Sequence, residues 1–228
     1  MLSEQEQIRR NSLQELISKG INPYPAETFE VNAHAQDILE NYERNKLDYK
    51  NVCVAGRLMS RRIMGKVSFA ELQDSTGRIQ LYISRDDICK GEDKSLYNDV
   101  FKKLMDIGDV IGVNGFVFTT KTGETTIHIT ELKLLSKSLR PLPVVKVDEE
   151  GKTHDAFTNP EHRYRQRYVD LVVNPQVKEI FLKRTKIVNS MREFLNTKGN
   201  IEVETPILQP LYGGAAARRP IKDPTTPR

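Results

Sequence analysis

The spacing of hydrophobic positions along this chain changes several times, and each change marks a different element. Ser3-x-x-Glu6 is a capping-box pattern ahead of Ile8, Leu13, Leu16 and Ile17, which predicts a helix that stops at Gly20. Asn22-Pro23-Tyr24-Pro25 then breaks the chain. A second short helix is expected from Asn32 as its cap, with Ile38, Leu39 and Tyr42 on one side. From Asn51 the period falls to two. Val52, Val54 and Leu58 alternate with polar or small residues, Val67 and Phe69 follow, and Ile79, Leu81 and Ile83 alternate with Gln80 and Tyr82. Ser75-Thr76-Gly77 stands where a hairpin turn is needed. Between Asp93 and Met105 the period returns to helical, carried by Leu96, Val100, Phe101 and Leu104. Strand-like runs Val110–Phe118 and Thr125–Leu135 come next, joined by Lys121-Thr122-Gly123-Glu124.

Three strands, a helix and two strands within about ninety residues is the order of an OB-fold, a five-stranded Greek-key barrel that often binds single-stranded nucleic acid. Leu139-Arg140-Pro141-Leu142-Pro143 ends the barrel, and 144–160 reads as a polar connector. Asn174-Pro175 then reads as cap and first helical residue. Val177, Ile180, Phe181, Ile187, Val188, Met191, Phe194 and Leu195 form a helical stripe ending at Lys198-Gly199. That helix spans about 24 residues, or ~36 Å. Arg184 falls inside the stripe, which suggests a buried ion pair or a subunit contact. A short strand is expected over Ile201–Thr205, up to Pro206. Gly213-Gly214-Ala215-Ala216-Ala217 and an unpatterned basic tail close the sequence, and no internal repeat is visible.

Composition agrees with a soluble globular chain of one to two domains: 228 residues, 38% apolar and 29% charged, with mean hydropathy −0.53. No apolar run is long enough for a membrane span. The charged start, with Glu4, Glu6, Arg9 and Arg10, argues against a signal peptide and for a cytoplasmic protein. Cys53 and Cys89 are unclustered and the four histidines scattered, so neither a zinc site nor a disulfide framework is indicated. The net charge is +4, with 6 Lys/Arg against 9 Asp/Glu in 1–50, 14 against 11 in 51–140, and 9 against 5 in 155–200. The basic excess of the middle and later segments is compatible with a polyanion partner without requiring one.

The barrel's candidate chemistry is Arg61, Arg62, Phe69, Gln80 and Glu124. Gln80 alternates with Ile79 and Leu81, so its amide faces outward, where it can read a base edge. Phe69 on the neighbouring strand suits stacking on a splayed base, and Arg61 and Arg62 could clamp phosphate. Alternation by itself supports a different account: Phe69 shares parity with Val67, as a core residue would, and the arginines would then be a solvated loop. Asp86-Asp87 and Glu92-Asp93 suggest a metal only superficially, since Asp93 is most simply a helix cap. Gly213-Gly214 could admit a close ligand or make an ordinary turn. No phosphate-binding loop and no Ser/His/Asp or Cys/His arrangement stands out, so no catalytic residue and no metal ligand is assigned.

Several segments together resemble the bacterial class II lysyl-tRNA synthetase family. They are the run from Val54 to Phe69, Leu72-Gln73-Asp74 through Gly77-Arg78-Ile79-Gln80-Leu81-Tyr82, Lys121-Thr122-Gly123-Glu124, Leu139-Arg140-Pro141-Leu142-Pro143, and Arg163 to Leu171. Glu202-Val203-Glu204-Thr205-Pro206 is similar to the strand of class II motif 1 with its proline. The resemblance covers most of 1–217. It implies an α+β chain: N-terminal helices over 1–50, an anticodon-binding OB-fold over 51–140, a linker over 141–174, and the first helix and strand of an antiparallel catalytic domain over 175–217.

The resemblance also implies roles. In the family a phenylalanine stacks on the central uridine of the anticodon and a glutamine eleven residues on hydrogen-bonds it, which is the spacing of Phe69 and Gln80. Arg61 or Arg62 and Glu124 match positions that contact anticodon bases. Motif 1 packs across a two-fold homodimer interface, which implies interface roles for Arg184, Ile187, Met191 and Pro206. Gly213, Gly214 and Ala215 match a loop beside bound lysine. Asn200 replaces a usual aromatic. Residues 218–228 depart from the family and read as an aberrant tail, as from a shifted frame. Motifs 2 and 3, which hold ATP and Mg2+ in the whole enzyme, have no counterpart, so this chain is expected to bind tRNA but neither cofactor, and not to aminoacylate. The competing expectation is a free-standing OB-fold that binds RNA or single-stranded DNA; such a module has no use for 175–217.

Overall fold

The computed structural model describes residues 2–143, 146–147, 153–154 and 157–207, and it divides into two units, 1–162 and 163–228. In the first unit five strands, β1 (Val52–Met64), β2 (Val67–Gln73), β3 (Arg78–Ser84), β4 (Val110–Thr119) and β5 (Thr125–Ser136), close a barrel in the order β1-β2-β3-β5-β4. This is the five-stranded barrel that the alternating pattern predicts. Within the barrel every ladder is antiparallel except β3–β5, which is parallel and has the fewest residue pairs of the five: Gln80–Thr126, Leu81–Ile127 and Tyr82–His128.

Val54, Leu58, Leu72, Leu81, Ile83, Ile111 and Ile127 are fully buried inside the barrel. β2 inverts a simple reading of its alternation. Ser68, Ala70 and Leu72 point inward, whereas Val67 and Phe69 are only half-buried on the outside. The interior position at Ser68 is small and polar because Tyr97, itself fully buried, brings its hydroxyl within 2.7 Å of Ser68 Oγ. The parity shared by Phe69 and Val67 is therefore real, but it belongs to the outer face.

Tyr97 comes from the segment between β3 and β4, where a single helix is expected. A short turn, α3 (Arg85–Ile88), is followed by a π-helix, Leu96–Leu104. Its wider turn suits the i, i+4, i+5 spacing of Leu96, Val100 and Phe101. Asp93 is not its cap: Ser95 holds that position, and Asp93 lies ahead of the helix, accepting the Ser95 amide (2.8 Å) and hydroxyl (2.9 Å). At the end of the barrel, buried Lys137 binds Asp106 at 2.5 Å and Asp109 at 2.9 Å, and both Lys137 and Asp109 have 0% side-chain exposure. Burial pushes the Asp109 carboxyl up, against the pull of Lys137 and of the Asp106 and Ser138 amides.

Helix α1 (Glu4–Ser18) carries the expected capping box between Ser3 and Glu6 and runs toward Gly20 at φ 74°. Arg9 fastens it to the barrel by donating to the carbonyls of Ile107 (2.9 Å), Ser138 (3.1 Å) and Arg140 (3.2 Å). Helix α2 (Ala35–Asn41) starts later than expected. Asn32 is not its cap; it pairs with the start of β1, accepting from the Cys53 amide at 2.7 Å and donating to the Asn51 carbonyl at 3.2 Å. The β2–β3 turn caps α2 instead. Asp74 Oδ2 accepts the Ala35 amide (2.8 Å) and Thr76 Oγ1 the Gln36 amide (3.1 Å). Asp74 also takes the Thr76 and Gly77 amides. Burial works against ionisation of Asp74, but these hydrogen bonds outweigh it and hold its carboxyl below the usual range.

Within the span expected as linker, Lys146–Val147 (β6) pairs with Thr153–His154 (β7), and helices α4 (Pro160–Arg165) and α5 (Arg167–Val173) follow. In the second unit α6 covers Pro175–Thr197, close to the predicted extent, with Pro175 in its first turn. Asp170, buried, accepts from Arg163 (2.9 Å), Arg167 and Asn174 (2.7 Å). Of the α6 stripe only Val177 is buried, while Ile187 and Met191 are each 61% exposed. Arg184 is exposed, which removes the buried ion pair from its two expected roles. Residues 201–207 do not form the expected strand: they meet no neighbouring strand among the described residues, and a strand requires a ladder partner. Gly213, Gly214, Ala215 and the tail 218–228 lie outside the described residues.

Candidate nucleic-acid interface

The register of the barrel carries the candidate residues to one outward face. Arg62 of β1 lies opposite Phe69 of β2, and Phe69 opposite Tyr82 of β3. One row away, Glu71 of β2 lies opposite Gln80 of β3, which is paired with Thr126 of β5. These side chains project outward because their chain neighbours Ser68, Ala70, Leu72, Ile79 and Leu81 project inward. Arg62, Phe69, Glu71 and Gln80, together with Leu39 of α2 and Glu124 of the β4–β5 hairpin, border an open cleft of about 760 Å³, with Tyr82 and Thr126 behind its lining.

Phe69 is half-buried, and Tyr82 meets its ring in a T-shaped contact (centroids 5.5 Å apart, planes at 69°) that fixes its orientation. Gln80 is held at both ends of its amide. Nε2 donates to Glu124 Oε2 at 3.3 Å, and Oε1 accepts from Thr126 Oγ1 at 2.8 Å. Arg78 is tied to Glu71 (3.3 Å) and Gln73 (2.8 Å), which neutralises two charges within the cleft. Arg62 is exposed at its edge. A ring for stacking, an oriented amide with donor and acceptor, a carboxylate and a guanidinium form the kit with which single-stranded bases and their phosphates are bound.

Arg61 does not join this group. Its position pairs with inward-facing Ala70, and its guanidinium turns to the Phe101 carbonyl at 2.5 Å. Burial there lowers its pKa, with Asp106 and Asp109 acting in the opposite direction. Of the predicted residues the cleft therefore brings together Arg62, Phe69, Gln80 and Glu124. Glu71, Arg78 and Leu39 join them without being candidates of the sequence pattern, and Thr126 supports Gln80 from outside the lining. Glu71 and Arg78 were accessible to sequence reasoning, because each stands two residues from a candidate on the same strand and must share its face. Thr126 and Leu39 had no such signal, since their places depend on barrel closure and on the docking of α2.

Among the described residues no group of His, Cys, Asp and Glu could hold a metal ion, and no helix is long and apolar enough to cross a membrane. Asp86 pairs with Arg85 and Lys94, and Asp87 with His128.

Residues 52–135 match the family described as OB-fold nucleic acid binding domain, and residues 159–221 match tRNA synthetases class II (D, K and N). Over 95% of its length the chain is 62% identical to a lysine–tRNA ligase of Christiangramia forsetii. It is 60% identical, again over 95% of its length, to the enzymes of that description from Porphyromonas gingivalis and Azobacteroides pseudotrichonymphae. The aligned stretch makes up 37%, 38% and 43% of those three proteins, so the chain spans less than half the length of the relatives it matches.

Proposed function

We propose, on the premise that this chain belongs to the lysine–tRNA ligase family and corresponds to its amino-terminal part, that its barrel reads the anticodon of a lysine tRNA. The observation that carries this reading is the convergence of Phe69, Gln80, Glu124 and Arg62 on one outward cleft. Phe69 stacks on the central base, Gln80 and Glu124 meet its polar edge, and Arg62 meets phosphate or a flanking base. The match of 159–221 to class II synthetases favours this over a free-standing OB-fold binder.

The whole enzyme's reaction, ATP- and Mg2+-dependent attachment of lysine to tRNA in the cytoplasm, follows from the same family. The exposed stripe of α6 favours a second copy of the chain as its cover, with Ile187, Met191, Arg184 and Pro206 at that contact. Gly213, Gly214 and Ala215 remain the proposed lysine-side loop on sequence grounds.

Titrating an anticodon stem-loop RNA into the 228-residue chain tests the reading. Phe69→Ala should cost about 1–3 kcal/mol of binding, the usual worth of a base-stacking aromatic. Gln80→Ala should weaken binding by about 1 kcal/mol, and affinity should fall with added salt as counterions are released. Unchanged affinity in both variants rejects the assignment.

A further inference from the structure

We infer that Thr126 is a specificity-determining positioning residue, which pins the Gln80 amide in the orientation that the Glu124 carboxylate selects and so sharpens which pyrimidine the cleft accepts. The inference rests on the reading of the cleft given above. Thr126 occupies an outward-facing position of β5 beside Gln80, yet it is fully buried, and its hydroxyl donates to Gln80 Oε1 at 2.8 Å. Nothing in the alternation of β5 marks it, because Ile127 and Ile129 supply that strand's inward face.

The chemistry of the partners fixes the amide. A carboxylate only accepts hydrogen bonds, so the end of Gln80 that faces Glu124 must be the NH2. Its carbonyl then faces Thr126, whose hydroxyl supplies a donor. Reversing the amide would set Oε1 against the Glu124 carboxylate, while the Thr126 hydroxyl, which also lies 3.2 Å from the Glu124 carbonyl, would turn from donor to acceptor toward Gln80. With one N–H held by Glu124 and one lone pair held by Thr126, the amide keeps one N–H and one lone pair for a ligand, in a fixed order.

That order is what separates the pyrimidines. Uracil presents the N3–H donor beside the O4 acceptor, whereas cytosine presents the N3 acceptor beside the N4 amine donor. The two edges are inverses, and an amide free to turn over by a half-rotation could satisfy either. An amide fixed at both ends satisfies one. Glu124 holds the nitrogen end from an exposed hairpin, and Thr126 holds the oxygen end from a buried strand position that does not itself reach the base.

The test compares the full chain with Thr126→Val, which keeps the branched shape and removes the hydroxyl, and Thr126→Ser, which keeps the hydroxyl. Each is titrated with two stem-loop RNAs that differ only in a central uridine or cytidine, and the readout is the ratio of the two affinities. Thr126→Val should lower that ratio roughly three- to tenfold, the worth of one neutral hydrogen bond. Thr126→Ser should retain it. A ratio that Thr126→Val leaves unchanged overturns the inference, as does a loss that Thr126→Ser shares equally, since that would make the effect one of packing. A wild-type chain that binds both RNAs alike overturns the underlying reading of the cleft and this inference with it.

Discussion

The two units put the same kind of sequence signal to opposite ends. In the barrel, apolar alternation is consumed internally: Val54, Leu72, Leu81, Ile111 and Ile127 lose their exposure to one another and to the residues of the π-helix. In the second unit, α6 carries a longer and equally regular stripe, yet Ile180, Phe181, Ile187, Met191 and Phe194 stay exposed, and its polar fastening is the cluster of Arg163, Arg167 and Asn174 on Asp170. Periodicity states that an apolar face exists. What covers the face is a separate fact, and a strand in a closed barrel finds its cover within the domain whereas a long single helix does not.

Substitutions can be ranked by how hard they press on that contrast. The largest loss is expected at Lys137→Met, which leaves Asp109 buried and unpaired and should lower the stability of the barrel by about 3–5 kcal/mol, read from urea unfolding. A cost under about 1 kcal/mol would mean that the end of the barrel is more open to water than its 0% exposure implies.

Asp74→Ala should cost about 1–2 kcal/mol, since it removes the cap of α2 and the fastening of the β2–β3 turn together. The sign of its pH dependence follows from the lowered carboxyl of Asp74. The stabilisation is fully present above the unfolded value of about 3.9 and is lost as pH falls through the lower folded value. The gap between wild type and Asp74→Ala should therefore be constant from pH 7 to 5 and close below about pH 4. A gap unchanged at pH 3 would show that the cap does not act through the carboxylate charge.

The smallest effect on folding is expected in α6. Ile187→Ser combined with Met191→Ser should change the stability of the isolated chain by no more than about 0.5 kcal/mol, because both side chains are already exposed. The same pair should lower the dimer fraction in sedimentation if a second copy covers this face. A large stability loss without any change in association would contradict the comparison between the units.

The fold was legible to the extent that the signal was periodic. β1, β3, β4, β5, the capping box of α1 and the span of α6 follow from spacing and caps. β2 shows why period does not give face: its inner positions include small Ser68 and Ala70, and Tyr97 arrives from a distant segment to meet the Ser68 hydroxyl. Asn32 shows the same limit at a helix start, where an equally polar use at the edge of β1 prevails over capping. In the cleft, spacing within strands and family resemblance point to Phe69 and Gln80. Arg61 and Arg62 could not be separated until pairing with β2 assigned each a face, and Thr126 could not be found until β5 closed against β3.

That closure has a consequence of its own. The β3–β5 ladder is the barrel's shortest stitch, and Gln80 and Thr126 are one of its three pairs. A ligand that grips Gln80 on one strand and Glu124 at the head of the other spans the seam from outside. Occupancy and seam closure then become a single equilibrium, in which bound ligand adds RT ln(1 + [L]/Kd) to the cost of parting the strands. The cleft in this sense is a clasp as well as a reader, and a vacant barrel should breathe first along the line where it reads.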